Sequence, residues 1–355
     1  MYSIIEGTGS YIPTRVVKNS DFLNHEFYDQ SGEKIEKDNA EIIEKFQQIT
    51  QIDERRYVTD DLVTSDIGFF AAEDALSSSN TDKESLDYII VAHNFGDVKP
   101  DNKRSDLVPS IAARIKHKLG IKNPNTVAYD LPFGCPGWLQ GVIQADYYIK
   151  SGDAHKILVI GAETLSRVCD PHDRDSMIYS DGAGAIILGS KESDVPIGIM
   201  AHKTRSDTFT EAMMLKMDGS DNADYDGNEI FLKMQGRKLY QYALSTVPQA
   251  IKESLDKSNT HLNRIKNVLI HQANGKMDEA ILTRLYGLYD MIDLPKNIMP
   301  MTISWLGNSS VATLPTLLDL ILKEAFRPHE LKENDTVIFA SVGAGMNINA
   351  LIYKF

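Results

Sequence analysis

Short apolar runs alternate with longer amphipathic stretches along this chain, and that alternation predicts an α/β fold. Length agrees, since 355 residues suffice for two domains or for one large domain built from two halves. Composition closes off other classes. Apolar residues make up 42% and charged residues 25%, an ordinary globular balance rather than a disordered, collagenous or disulfide-stapled one. The 50 Asp and Glu against 37 Lys and Arg give a formal net charge of −13. No nucleic-acid partner and no polybasic membrane contact are therefore expected.

In chain order, strands are expected at Ser3–Glu6, Tyr88–Ala92, Thr126–Asp130, Lys156–Gly161, Ala183–Leu188 and Gly198–His202. Asn267–His271, Thr336–Ser341 and Asn349–Tyr353 complete the set. Helical periodicity covers Ser65–Ser77, Pro109–Leu119, Pro136–Lys150, Gly236–Leu255, Met277–Tyr286 and Ser310–Glu324. A faint internal echo links Leu86–Asn94 with Ile265–Asn274, each an apolar strand running into His and Asn, and Lys156–Gly161 with Thr336–Ser341. It suggests a duplicated fold joined near Lys191–Pro196, with halves at 1–190 and 191–355. The most polar stretch, His25–Asn39, reads as a solvated loop or frayed helix, with a lid over a binding site as the alternative.

The longest apolar runs are strand-sized, far below the roughly 20 residues a membrane-spanning helix needs, so no membrane insertion is expected. The N-terminal MYSIIEGTGSYIP lacks a basic region followed by a long apolar one, and a reduced, cytoplasmic protein is the expectation. Only two cysteines occur, Cys135 and Cys169, without paired metal-site spacing.

Cys135 follows an apolar run and the turn Pro132-Phe-Gly134, and it precedes Pro136 and a helical face at Trp138, Leu139, Val142 and Ile143. Proline suits a helix's first turn, so Cys135 is placed beside the helix start, where the dipole favours a thiolate. A nucleophile and a buried structural cysteine are about equally compatible with that pattern. Cys169 lacks such a helix start and reads as structural. His271 closes the apolar run Val268–Ile270 and leads into Gln272-Ala-Asn-Gly275, where a buried strand opens into a loop. A satisfied core histidine is the competing reading, and His93 occupies the analogous spot earlier. Asn308, in Leu306-Gly-Asn-Ser-Ser310, is either a helix-cap residue or an amide donor facing a carbonyl. The small-residue turn Ser341–Gly345 offers backbone N–H groups to a developing oxyanion.

Taken in order, Gly7–Pro13, Ile52–Arg56, the Cys135 turn, Leu165–Pro171, Ser180–Ala185, His271–Asn274 and Gly307–Ser310 resemble the thiolase-fold condensing enzymes. The closest likeness is to the β-ketoacyl-acyl-carrier-protein synthase III group. The resemblance implies a five-layered αβαβα fold of two similar halves and a homodimer that uses acyl and malonyl thioesters and no metal or redox cofactor. Carried over by position, Cys135 is the acyl-accepting nucleophile, and His271 and Asn308 hold the second thioester. The backbone N–H groups of Cys135 and Ala344 form the oxyanion hole. The implied reaction is acyl transfer to Cys135, then decarboxylative Claisen condensation with a malonyl thioester.

Departures from the pattern carry further expectations. Lys45 and Ile49 stand near the family's adenine-stacking tryptophan and its arginine, whereas Arg167 matches a coenzyme A-contacting position. The acyl donor is then either acyl-coenzyme A or an acyl-carrier protein, with Lys276, near the family's basic position after the His-Gln-Ala-Asn run, as a carrier-protein contact. Val108, where many relatives carry phenylalanine, implies a pocket larger than acetyl needs. Alternatives are a specialised paralogue joining longer acyl or β-ketoacyl units and a non-catalytic dimer partner. The latter usually lacks the nucleophile retained here.

Overall fold

The computed structural model describes residues 1–355. The chain enters through β1 (Tyr2–Tyr11), and β2 (Arg15–Lys18) pairs with β3 (Glu54–Tyr57) around α1 (Asn39–Thr50). After α2 (Thr64–Ser79) and β4 (Tyr88–Ala92) comes an exposed hairpin, β5 (Asp97–Lys99) with β6 (Asn102–Asp106). Next are α3 (Ile111–Lys118), β7 (Val127–Leu131), α4 (Gly137–Ser151), β8 (Lys156–Thr164) and β9 (Asp181–Lys191). The later part holds β10 (Gly198–Ser206), α5 (Thr208–Glu211), and the hairpin of β11 (Leu215–Asp218) with β12 (Phe231–Met234). It continues with α6 (Gly236–Ser258), β13 (Ile265–Ile270), α7 (Gly275–Gly287) and α8 (Ile303–Leu306). It ends with α9 (Thr313–Leu322), β14 (Thr336–Gly343) and β15 (Asn347–Lys354).

Two mixed sheets result, β1-β9-β8-β4-β7 and β10-β15-β14-β13. In each, the first two pairings are antiparallel and the third is parallel: β1/β9, β9/β8 and β8/β4 in one, β10/β15, β15/β14 and β14/β13 in the other. The segments that echo one another in sequence therefore occupy equivalent rungs, β4 with β13 and β8 with β14. Their near-continuous apolar runs suit strands covered on both faces. Indeed β8 is buried along all but its first residue.

Side chains of α4 and α9, including Trp138, Val142, Leu314 and Leu317, fill the space between the sheets. Outside, α2 and α3 cover the first sheet and α6 and α7 cover the second. The order of layers is αβαβα, as the resemblance implied. No helix is long and apolar enough to cross a membrane.

One expectation is refined and one changes. The His25–Asn39 stretch is a largely exposed loop, as expected, but it is pinned at a few points. Phe27 is buried with Phe22, Ile42 and Met177, Tyr28 N–H donates to His172 O at 2.9 Å, and Gln30 Nε2 donates to Met234 O at 2.9 Å. A few apolar anchors hold a segment whose average composition is polar. The helix expected from Ser310 begins instead as a tight turn at Ser310–Ala312, because Ser310 adopts φ 53°, and regular helix starts at Thr313.

Candidate active site

Three loop corners meet at one chamber. Cys135 sits between β7 and α4, His271 directly after β13, and Asn308 between α8 and the turn into α9. All three line the same cavity of about 160 Å³, walled mostly by apolar side chains that include Phe95, Leu215, Met217 and Leu232. A second cavity of about 450 Å³ shares Ile178, Met234, Leu239, Ala273 and Met277 with it, so the two form one path from the surface. The outer cavity is lined by Lys37, Lys45, Arg174 and Arg237 against only Glu41 and Asp175.

Each corner has a local cause. Gly134 reaches φ 65°, a left-handed conformation natural to glycine, and its carbonyl accepts from Gly137 N–H at 2.9 Å. That sharp turn sets Cys135 immediately before α4, and no backbone carbonyl takes up the Cys135 N–H. His271 N–H donates to Ala340 O at 2.8 Å, extending the ladder one residue past β13. Its neighbour Gln272 is a buried staple, donating to Pro300 O at 2.9 Å and accepting from Thr302 N–H at 2.8 Å. Asn274 caps α7 by accepting from Met277 N–H at 3.1 Å. The motif thus divides its labour: the histidine faces the chamber while the glutamine and asparagine hold its frame.

Asn308 is held by backbone pairing with a segment distant in sequence, its N–H donating to Ile178 O at 2.9 Å and its carbonyl accepting from Ser180 N–H at 2.8 Å. Its Oδ1 accepts from Ser310 N–H at 2.9 Å. That bond uses the oxygen end of the amide and leaves the NH₂ as the group to donate. His271 lines the chamber with its Nδ1 buried and without a partner.

Burial governs the electrostatics. Deep in the chamber, the Cys135 thiol is pushed up to about 11, against the pull of the Ser310 hydroxyl and its own backbone N–H. Burial thus opposes the preference for a thiolate expected at the helix start. His271 is pushed down to about 4 by burial, so its imidazole is neutral near pH 7.

Sequence reading overlooked Ser310. Its hydroxyl donates to Cys135 Sγ at 3.4 Å from a strained, left-handed backbone. Ser310→Ala is expected to slow iodoacetamide alkylation of Cys135 near pH 8 by about 3–10-fold, the value of one hydrogen bond. The alkylation pH profile should move to higher pH; an unmoved profile would deny the bond any effect on the thiol.

Other residues fall into place more simply. Ala344 lines the chamber beside Cys135. Cys169 donates to Leu165 O at 3.0 Å and packs in a core cluster, a structural thiol. His93 is a buried core histidine whose Nε2 lies 2.9 Å from the Asp130 carboxylate and whose Nδ1 accepts from Gly96 N–H. Arg55 and Arg56 of the Ile52–Arg56 motif are framework residues, bonded to Met177 O and Trp305 O.

Arg167 requires correction. Its guanidinium is buried and donates to Thr59 O at 3.0 Å, and it lines neither cavity. Arg174, seven positions on, lines the mouth instead. The turn after β8 directs Arg167 inward toward the Thr59–Leu62 loop, an orientation no local pattern reveals. Val108 is 86% exposed and lines a separate surface groove with Leu107 and Arg104, so within this chain it does not bound the chamber. Lys276 is exposed on the first turn of α7, beside the mouth residues Asn274 and Met277.

Known proteins resemble this chain along its whole length. The family models for 3-oxoacyl-[acyl-carrier-protein (ACP)] synthase III and for its C-terminal part match residues 129–208 and 255–355. A β-ketoacyl-[acyl-carrier-protein] synthase III 1 of Vibrio parahaemolyticus is 32% identical over 356 residues, covering 100% of both chains.

The chain belongs to the synthase III family.

Its relative from Vibrio cholerae is 31% identical, again over the full length of both chains. The crystal structure of a Thermus thermophilus synthase III superposes with a TM-score of 0.81 at 29% identity, covering 99% of each chain. That from Aquifex aeolicus gives 0.79 at 28% identity, covering 99% of this chain and 100% of the other. This synthase III-type protein is accordingly a condensing acyltransferase with the thiolase-type fold.

Proposed function

We propose that Cys135 accepts an acyl group from a thioester and that His271 and Asn308 then support decarboxylative condensation with a malonyl thioester. The supporting observation is that a thiol, a neutral imidazole and an amide converge on one chamber whose lining contains no carboxylate. Carbon–carbon bond formation there needs a carbanion made without a carboxylate base, and decarboxylation supplies one. The Cys135 sulfur attacks the acyl carbonyl, its proton leaving with the departing thiol, and the acyl-enzyme forms. The Cys135 and Ala344 N–H groups hold the tetrahedral oxyanion. Loss of CO₂ from the malonyl thioester leaves an enolate, stabilised by donation from His271 Nε2 and the Asn308 amide. Its carbon attacks the acyl-enzyme, releases Cys135 and yields a 3-oxoacyl thioester.

The basic mouth suits an anionic phosphopantetheine arm, on coenzyme A or on an acyl-carrier protein. With a net charge of −13, docking of an acidic carrier falls to the local patch of Lys37, Lys45, Arg174 and Arg237, with Lys276 alongside. The chain is proposed to act as a cytoplasmic homodimer of two-half subunits, using no metal or redox cofactor, with Val108 facing the partner. Methionines 217, 234 and 277 in the chamber wall favour a second reading, an acyl unit longer than acetyl, since unbranched Met side chains rearrange around varied chains.

Intact-mass measurement after incubation with acetyl- and octanoyl-coenzyme A, and with the same acyl groups on a carrier protein, tests the proposal. One acyl adduct per chain is expected on the wild type and none on Cys135→Ala. An adduct that survives the substitution, or its absence from wild type with every donor, would sink the assignment.

A further inference from the structure

Behind the chamber lies a carboxylate the reaction above does not use. Glu163, near the end of β8, is fully buried. Its Oε2 accepts from Asn94 N–H at 3.0 Å and from Asn94 Nδ2 at 2.7 Å, while Oε1 has no partner. The other end of the Asn94 amide, Oδ1, accepts from Gly134 N–H at 2.9 Å. A side-chain amide has a donor end and an acceptor end. By taking the donor end, Glu163 directs the acceptor end at Gly134.

Gly134 precedes the nucleophile and also touches the opposite turn. A Cβ on Gly134 would lie 2.7 Å from Ala344 N, and one on Gly343 would lie 2.5 Å from Cys135 N. The two backbone turns are thus in direct contact, and the bond from Asn94 fixes one of them. Burial holds the Glu163 carboxyl up at about 7. An acid here costs stability that an apolar side chain would not.

We propose that Glu163 is a positioning residue for acyl transfer: through Asn94 it fixes the Gly134 turn, and so aligns the Cys135 N–H with the Ala344 N–H around the oxyanion. The proposal rests on the acyl-transfer reading above and names a residue that reading lacks.

The test compares two reactions of the same thiol in the full-length protein. Acyl transfer from octanoyl-coenzyme A, followed by quenched-flow mass measurement, builds an oxyanion; alkylation by iodoacetamide does not. Glu163→Leu is expected to lower the acyl-transfer rate constant about 10²-fold, the scale of a lost oxyanion donor. The KM for the donor and the alkylation rate should both stay within about threefold, a split that general loosening of the fold would not give. Asn94→Asp should lose as much, because two carboxyls then face each other. Adding Glu163→Gln to Asn94→Asp restores a donor–acceptor pair and should recover at least about tenfold of that loss.

Acyl transfer within threefold of wild type in Glu163→Leu, a parallel fall in alkylation, or no recovery in the double variant would each overturn the proposal. If Glu163→Leu does not fold, the Asn94→Asp variants decide. Wild type that forms no acyl adduct with any of the coenzyme A or carrier-protein donors above removes the functional reading itself, whereas normal adducts on every variant remove only this inference.

Discussion

His271→Ala and Asn308→Ala are expected to leave acyl loading of Cys135 within about threefold of wild type while lowering condensation about 10²–10³-fold each. The split follows from their placement. Both line the chamber with Cys135, but the oxyanion of the loading step is assigned to backbone N–H groups, and the side-chain donors serve only the enolate. Measuring acyl-enzyme by mass and ¹⁴CO₂ release from labelled malonyl thioester, in one preparation, separates the steps. Equal losses in both would deny the division of roles.

His271 also carries a pH signature. Burial lowers its folded-state value to about 4, below the unfolded value of about 6.5. Its contribution to stability is therefore present above about pH 6.5 and is lost as pH falls toward 4. The shift corresponds to a loss on the order of 3 kcal/mol across that window. Condensation should show no histidine titration between pH 6 and 8. Urea unfolding at pH 7 and pH 4 should show a smaller acid loss for His271→Asn than for wild type; identical losses would contradict the assignment.

Gly343→Ala is expected to cost at least about 10²-fold in acyl loading and about 1–3 kcal/mol in stability. The reason is contact rather than backbone strain, since Gly343 is extended at φ −170°. An added Cβ would lie 2.5 Å from Cys135 N, 2.8 Å from Pro136 Cδ and 2.9 Å from Cys135 Cβ, and backbone atoms cannot swing aside. The nucleophile and the oxyanion turn must separate to admit it. Gly287→Ala, where a Cβ meets nothing within 4 Å, is the matched control and should change neither property. Acyl-adduct formation and thermal unfolding of the pair provide the check; a normal Gly343→Ala enzyme would mean the two turns can part without cost.

Much of this site was legible before folding. Cys135 stood out because a glycine turn and a proline flank it ahead of an apolar helix face, and His271 because an apolar strand ends on it. The resemblance joined Asn308 and Ala344 to them, and all four line one chamber. The long central strands were readable because β8 and β14 are buried on both faces and hence apolar throughout. The hairpins Asp97–Asp106 and Leu215–Met234 were missed. The strands of the first are short and largely exposed, and the second joins two four-residue strands across a long polar loop.

Arg167 marks where reading by position failed. Two arginines lie in Arg167–Arg174, and which of them meets the mouth depends on how the turn after β8 packs.

By itself the sequence determined the class of fold and most of its long strands, and it marked Cys135, His271 and Asn308 as candidates, because those signals are written within a few neighbouring residues. Only the tertiary structure decided that burial pushes the thiol up, that Ser310 donates to it, and that Glu163 stands behind the turn that holds it. Those contacts join residues 175 positions apart for Ser310 and Cys135, 69 for Asn94 and Glu163, and 40 for Gly134 and Asn94. Helix and strand periods reach no further than a few residues along the chain. Burial and long-range hydrogen bonding, which set the chemistry of Cys135, exist only once the two sheets close around it.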